Sequence, residues 1–424
     1  MQTDNSILQT PHEIVGDILD IECPFTLQDV YAATKRLQNF THKTPLEHST
    51  TLSKMTGCNV YLKLETFQKT GSFKVRGATN KILSLSEEER KRGVVAASAG
   101  NHAQGVAFAS TKCGCQSTIV MPETASAAKV AATSGYGAEV VLTGKVFDES
   151  LVYALNLCKE KGKTFVHPYN DKDVMAGQGT IAIEILDQLA TADVIIGAVG
   201  GGGLMAGVGY TTKQINPKIR VIGVQAANAP SSALSFREKK MCKTFSASTM
   251  ADGIAVKCPG DLTTSVNLKY LDDLVTVDEE TISHAMMLMM ERCKIVAEGA
   301  GSCPLAALLA NKIPGLTENT NVVCIVSGGN VDYNMMNRVV ERGFVRTGKR
   351  VEFTLEIDDV ANAVKDLMNI LENENASVMT IKTKKLVINN TTVCLCDILM
   401  ECHGDEHREK IFNVLKEKEY KIHY

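Results

Sequence analysis

From about residue 60 to about residue 330, short apolar runs alternate with stretches whose apolar residues recur at helical spacing. The runs "NVYLKLE", "GVVAASA", "QSTIVMP", "AEVVLTG", "TFVHP", "DVIIGAVGGGG", "RVIGVQA" and "NVVCIVSGG" predict strands. Between them, "HAQGVAFASTKC", "SAAKVAATSGYG" and "FDESLVYALNLCKEKG" predict helices. Strands rich in β-branched residues that alternate with helices predict parallel sheets covered on both faces, and so an α/β protein.

After about residue 345 the pattern changes. "RVEFTLEI" predicts a strand and "VANAVKDLMNILENE" an amphipathic helix. "SVMTIKTK", "TTVCLCDILMEC", the helix "EHREKIFNVLKEKE" and the short strand "YKIHY" follow. The order β-α-β-β-α-β is the ferredoxin-like motif. With 424 residues, more than one domain of usual size, the chain predicts a first domain over 1–345 and a second over 346–424.

Composition narrows the partners. A net charge of −3 with 22% charged residues lacks the basic surplus that nucleic acid or an anionic membrane surface requires. The uncharged run Val194 to Thr212 has the length of a membrane span, but its glycines, four of them consecutive, predict a strand and a loop. No Lys or Arg precedes Lys35, which excludes a signal or transit peptide as usually built. The 13 cysteines are odd in number, and the C-x-C pairs Cys113/Cys115 and Cys394/Cys396 have no second pair at zinc-finger spacing. Free thiols in a reducing compartment, the cytoplasm, are the simpler reading.

Four stretches carry chemistry. In "GAVGGGGLMAG" a glycine loop follows a strand and opens a helix, so backbone N–H groups and a helix N-terminus can meet a phosphate. Gly201, Gly203 and Ala206 fit G-x-G-x-x-A, but the next strand ends in Gln225 rather than an acidic residue, and no Walker lysine is present. A loop for a single phosphate survives, beside the alternative of a turn with no ligand. In "TGSFKVRGATN", Lys74 sits between Phe73 and a valine in a small-residue turn. A lysine held dry there is a neutral amine suited to a Schiff base. A Schiff-base lysine and a phosphate cradle on one fold suit pyridoxal 5'-phosphate. In "SAGNHAQG", small residues at a strand end expose N–H groups to a substrate carboxylate, and Asn101 is either a partner for the cofactor's ring hydroxyl or a helix cap. In "VSGGN", Ser327 is either a neutral donor to the pyridine nitrogen or a turn residue.

The motifs "SFKVRGA", "SAGNHAQG", "GGGGL", "ADGIAV", "EGAG" and "SGGN", in this order, resemble those of the fold-type II pyridoxal-phosphate enzymes, and within them the threonine/serine dehydratases. The resemblance covers roughly residues 25 to 345; the tail resembles, more weakly, an ACT regulatory domain. It implies two parallel-sheet lobes of the tryptophan-synthase-β-like architecture, with a smaller lobe of about 68–165 inserted in the larger, and a C-terminal ferredoxin-like (ACT) domain. It implies that Lys74 carries the cofactor and removes the substrate α-proton. Phe73 packs beside the ring and Asn101 binds its hydroxyl. Gly200, Gly201, Gly202, Gly203 and Leu204 cradle the phosphate, and Ser327 meets the pyridine nitrogen. Ser98, Ala99, Gly100, Asn101 and His102 border the substrate carboxylate, and Gly253 and Glu298 line the site.

The expected reaction is L-threonine to 2-oxobutanoate and ammonia, and L-serine to pyruvate and ammonia. The alternative is a serine racemase with side β-elimination, but relatives of that activity read S-S-G-N where this chain has Ala99, which cannot carry a proton. A cysteine-synthase-like replacement would need a site for a second nucleophile. A regulatory amino-acid binder on an inactive fold would not need Lys74, Asn101 and Ser327 together. The loop "QAANAPSSA" has no carboxylate, so no metal site is assigned; its carbonyls alone remain for a monovalent ion. The resemblance also implies a homodimer or homotetramer and an allosteric effector at the ACT-like domain. Its junction "EIDDVANAV" lacks the glycine turn through which such domains usually meet an amino acid.

Overall fold

The computed structural model describes residue 7, residues 9–385 and residues 393–423. By its internal packing the chain divides into two units, Met1–Val331 and Asp332–Tyr424. In the first unit six strands form the larger sheet, in the order Asp273–Val277, Arg220–Ala226, Val194–Ala198, Asn321–Val326, Asn59–Leu64 and Leu46–His48. Its neighbours run parallel except the last pair, which is antiparallel. Four parallel strands form the smaller sheet, in the order Glu139–Leu142, Ser117–Met121, Val94–Ala97 and Thr164–Phe165. The central strands "VIIGA", "VVAA" and "STIVM" are buried along their whole length, as apolar runs between two helical layers must be.

The α/β expectation is met, and each apolar run read as a strand holds one. Four strands gave no clear pattern. Asp273–Val277 is short and bounded by the carboxylates Asp272 and Asp278. Leu46–His48 has three residues. His12–Asp17 is mostly exposed, Lys240–Thr244 buries Met241, Cys242 and Thr244 between exposed lysines, and the two form a separate antiparallel pair.

Two helices bring the site together, and the first of them packs Ala78 and Ile82 into the core of the smaller sheet. Lys74–Ser84 packs against Lys172–Gln188 through glycines: a Cβ on Gly177 would lie 2.7 Å from the Cα of Gly77. The second helix is capped by Asp171, whose side chain accepts from the amides of Asp173 and Val174.

The second unit holds an antiparallel sheet in the order Ser377–Lys385, Val393–Glu401, Arg350–Asp358 and Ile422–His423. The helices Ala363–Asn373 and Asp405–Glu417 complete the order β-α-β-β-α-β, around Phe353, Leu355, Leu371, Ile398 and Phe412. The first two residues of the predicted strand "TTVCLCDILMEC" lie outside the described residues. The helix Tyr333–Arg346 groups with this sheet: Arg350 reaches back to Glu341, across to Glu401, and stands over the Phe344 ring. Among the described residues no helix is long and apolar enough to cross a membrane, and no cysteine is in a disulfide.

Candidate active site

Lys74 is the first residue of its helix, and the chain before it is fastened to the strand end that carries Ser327. The Phe73 amide donates to the Ser327 carbonyl at 3.0 Å, and Ser72 bridges to Gly328. The Lys74 Nζ donates to the Pro168 carbonyl at 2.8 Å and stands 5.3 Å from the centre of the Phe73 ring. Burial lowers its pKa from the usual 10.5 to about 8, against the pull of the nearby Glu298 carboxylate. The half-buried Lys74 therefore deprotonates far more readily than a surface lysine, which a Schiff-base nucleophile requires.

The glycine loop is clamped from behind. Its carbonyls are taken by protein donors: Ser232 Oγ donates to Gly200, Thr263 Oγ1 to Gly201 at 2.6 Å, and Asn267 Nδ2 to Gly202 at 3.2 Å. Side chains are excluded here. A Cβ on Gly200 would lie 2.8 Å from the Cα of Ile254, and one on Gly201 would lie 2.4 Å from the Tyr169 ring. Gly202 has φ +97°, a conformation open to glycine alone at little cost. The amides of Gly200, Gly201, Gly202, Gly203 and Leu204 find no acceptor among the described residues, and they open the thirteen-residue helix Gly203–Ile215. Consecutive free N–H groups at a helix N-terminus form an anion site. The Leu204 side chain belongs to the core, so only its amide can join the cradle.

Asn101 begins the helix Asn101–Lys112, and its side chain does not cap it. Its Nδ2 donates to both oxygens of Glu298, at 2.8 and 3.0 Å, while its Oδ1 accepts from Asn330 Nδ2 at 2.8 Å. Asn330 also donates to the Thr70 carbonyl. Glu298 is buried, and burial raises its pKa from 4.5 to about 7. Gly253 sits opposite: a Cβ there would be 3.4 Å from Glu298 Oε1. The Ser98 Oγ accepts from the Gly100 amide at 3.2 Å and shapes the turn through the half-buried Ala99. His102 has its hydrogen bond elsewhere. Its buried ring meets the Val166 carbonyl at 2.8 Å, and burial lowers its pKa to about 3, so it is neutral and structural.

These contacts close a circuit that runs from Lys74 through Pro168, Tyr169, Gly201, Gly200, Ile254, Gly253 and Glu298 to Asn101. The predicted residues Lys74, Gly200, Gly201, Gly253, Glu298 and Asn101 thus lie along one run of contacts, and the His102 ring is bonded to the Val166 carbonyl. Sequence reasoning missed Tyr169, Thr263, Asn267 and Asn330. Only Asn330 stood inside a quoted motif, "SGGN". The circuit sets a reactive amine and a row of unmatched amides on one site, and it therefore fits a cofactor with an aldehyde and a phosphate.

A family model described as pyridoxal-phosphate dependent enzyme matches residues 37–328. The chain belongs to this family. It is similar to the L-threonine ammonia-lyase of Thermotoga maritima, with 44% identity over 94% of this chain and 98% of that protein. Among solved structures it is similar to the processed threonine deaminase isoform 2 of Solanum lycopersicum, with a TM-score of 0.71 and 36% identity over 78% of this chain and 97% of the other. It is also similar to maize serine racemase, with a TM-score of 0.71 and 35% identity over 76% and 98% of the two chains. Pyridoxal phosphate is accordingly the cofactor that the residues around Lys74 fit.

Proposed function

We propose that this protein is a cytoplasmic L-threonine ammonia-lyase that also acts on L-serine. The observation that carries the reading is the amine of Lys74 set against an alanine at position 99. Lys74 stands at the cleft with a lowered pKa, and the position that bears a serine in the racemase-like motif is Ala99. Pyridoxal phosphate, when bound, supplies a conjugated electron sink for the charge left at the substrate α-carbon. The amides of Gly200 to Leu204 hold its phosphate, and Asn101 and Ser327 fix its orientation. The N–H groups of Ala99 and Asn101 bind the substrate carboxylate, while the Ser98 amide is held by the Val120 carbonyl and the Gly100 amide by Ser98 Oγ. Lys74 Nζ takes the α-proton from one side, the bond to the β-hydroxyl breaks, and the hydroxyl leaves as water, which balances the proton taken; Ala99 carries no group that could return a proton from the other side. Thirteen unpaired cysteines support a reducing compartment.

For the C-terminal unit we adopt the ACT-like reading: a regulatory and assembly domain that supplies no catalytic group. Its β-α-β-β-α-β order and its open edge strand Ser377–Lys385 support it. A keto-acid assay across L-threonine, L-serine and their D-forms tests the catalytic reading. Keto acid is expected from the L-forms. D-serine made from L-serine at a rate comparable to pyruvate would favour the racemase instead.

A further inference from the structure

The segment Val166–Asn170, which meets Lys74 through Pro168 and the glycine loop through Tyr169, joins the two ends of the site. At one end the Pro168 carbonyl receives Lys74 Nζ at 2.8 Å. At the other, the Tyr169 ring fills the space that a side chain on Gly201 would need, and the Tyr169 backbone does the same at Gly203. Asn170 extends the contact. Its Oδ1 accepts from the amides of Leu262 and Thr263, at 3.1 and 3.3 Å, and its Nδ2 donates to Asp261 at 2.7 Å. Thr263 is the residue whose hydroxyl clamps the Gly201 carbonyl.

What bends this segment is a histidine. His167 Nδ1 accepts from the Tyr169 amide at 3.2 Å and from the Asn170 amide at 2.8 Å. Two N–H donors converge on one ring nitrogen, so Nδ1 bears no proton and the ring hydrogen is on Nε2. The ring also packs edge-on against Tyr169, with centroids 4.7 Å apart. Burial, helped by the charge of Lys74, lowers the His167 pKa to about 4, so the accepting form prevails at neutral pH.

We propose that His167 is a positioning residue for the cofactor: its unprotonated Nδ1 folds the Pro168–Asn170 turn that sets Lys74 and the glycine loop at a fixed separation. This rests on the family-level assignment of pyridoxal phosphate. The role needs an acceptor one bond beyond Cγ and needs neither the ring nor its titration. Asparagine offers such an acceptor, its Oδ1; leucine offers none.

The test is the affinity of the full-length apoprotein for pyridoxal phosphate, read by absorbance titration, with the apoprotein melting temperature measured alongside. His167→Leu is expected to weaken binding about tenfold or more, since two turn amides lose their acceptor. His167→Asn is expected to stay within about threefold of the unaltered protein, because one acceptor still meets both amides. Recovery by asparagine is a result that packing of the imidazole alone would not give. Equal affinity in His167→Leu and the unaltered protein would overturn the role, as would an asparagine variant as weak as the leucine variant. Should His167→Leu not fold, His167→Gln replaces it: its oxygen lies one bond too far out, and binding as tight as the unaltered protein would overturn the role. Failure of the unaltered protein to bind the cofactor would overturn this role and the family-level reading together.

Discussion

Two buried charge clusters lie within a few residues of each other, and they are built to opposite ends. Around Arg76 the ionic groups are closed. Its guanidinium meets Glu65 through Nε and Nη2, each at 2.8 Å, and Glu184 through Nη1 and Nη2 at 2.6 and 2.9 Å. Lys63, fully buried, spends its three donors on the Thr44 carbonyl, Glu184 and Gln188. Two cations face two carboxylates. Around Lys74, two residues earlier, the amine has one carbonyl partner, and Glu298 is bonded to Asn101 rather than to a cation. Both lysines have lowered pKa values, with burial as the first cause, but only Lys74 lacks an ion-pair partner. Burial alone therefore does not mark a reactive lysine; burial without closure does. The closed cluster ties the helix of Lys74 to the strand Asn59–Leu64, which pairs along its length with the strand leading to Ser327. The inert network thus forms the frame for the reactive site.

The widest separation between the clusters is expected in turnover. Lys74→Ala should lower threonine deamination by about a thousandfold or more, as expected when a positioned base and nucleophile is removed. Its apoprotein should remain as stable as the unaltered one to within about 1 kcal/mol, since a half-buried amine with no ion-pair partner is lost. Ammonia release and urea unfolding check both halves, and substantial retained turnover would remove Lys74 from the mechanism.

The converse holds for the closed cluster. Lys63→Met removes one partner of a buried ion pair and should cost about 3–5 kcal/mol of stability. The folded fraction should keep its pyridoxal-phosphate absorption band. Urea unfolding that matches the unaltered protein would show that the network is not a structural frame.

Glu298 offers a pH test of the open cluster. Its folded pKa, about 7, is raised above the usual 4.5, so the folded state holds a proton that the unfolded state releases. Stability from this group is present below about pH 4.5 and is lost as pH rises toward 7. Glu298→Gln should remove that decline. The difference in apoprotein stability between the two proteins should grow by about 2–3 kcal/mol across the window. Parallel stability curves from pH 4.5 to 7 would refute the raised pKa.

The open cluster was the legible one. "SFKVRGA", "GGGG" and "SAGN" are local signals, because a reactive amine and a row of free amides must sit in turns of small residues. The closed cluster left no comparable trace. Lys63 lies inside the strand run "NVYLKLE" and carries no mark of burial, and Arg76 meets Glu184 across 108 residues. His167 was equally hidden, since its role depends on amides of its own turn and on where that turn lands. The fold was legible wherever strands are apolar on both faces. It was lost at Asp273–Val277 and Lys240–Thr244, where length and polarity removed the pattern and the neighbouring strand sets the register.

The smallest expected effect concerns how far the site is open. In the proposed reaction Lys74 is the proton carrier, and Ala99, in the Ser98–Gly100 turn, has no group that exchanges a proton. Ala99 packs against the core of the smaller lobe through its methyl group, and the Ser98 hydroxyl is already engaged with the Gly100 amide. D-serine formed from L-serine should therefore be negligible beside pyruvate in the unaltered protein. Ala99→Ser adds one hydroxyl of about the right size, and racemisation should become detectable while pyruvate formation stays within about tenfold, since a serine is a weak acid–base unless its surroundings tune it. Chiral analysis of serine during turnover measures both products. Racemisation comparable to elimination before the substitution would mean that a second group serves the far side, and the contrast between one open amine and one closed network would need another member.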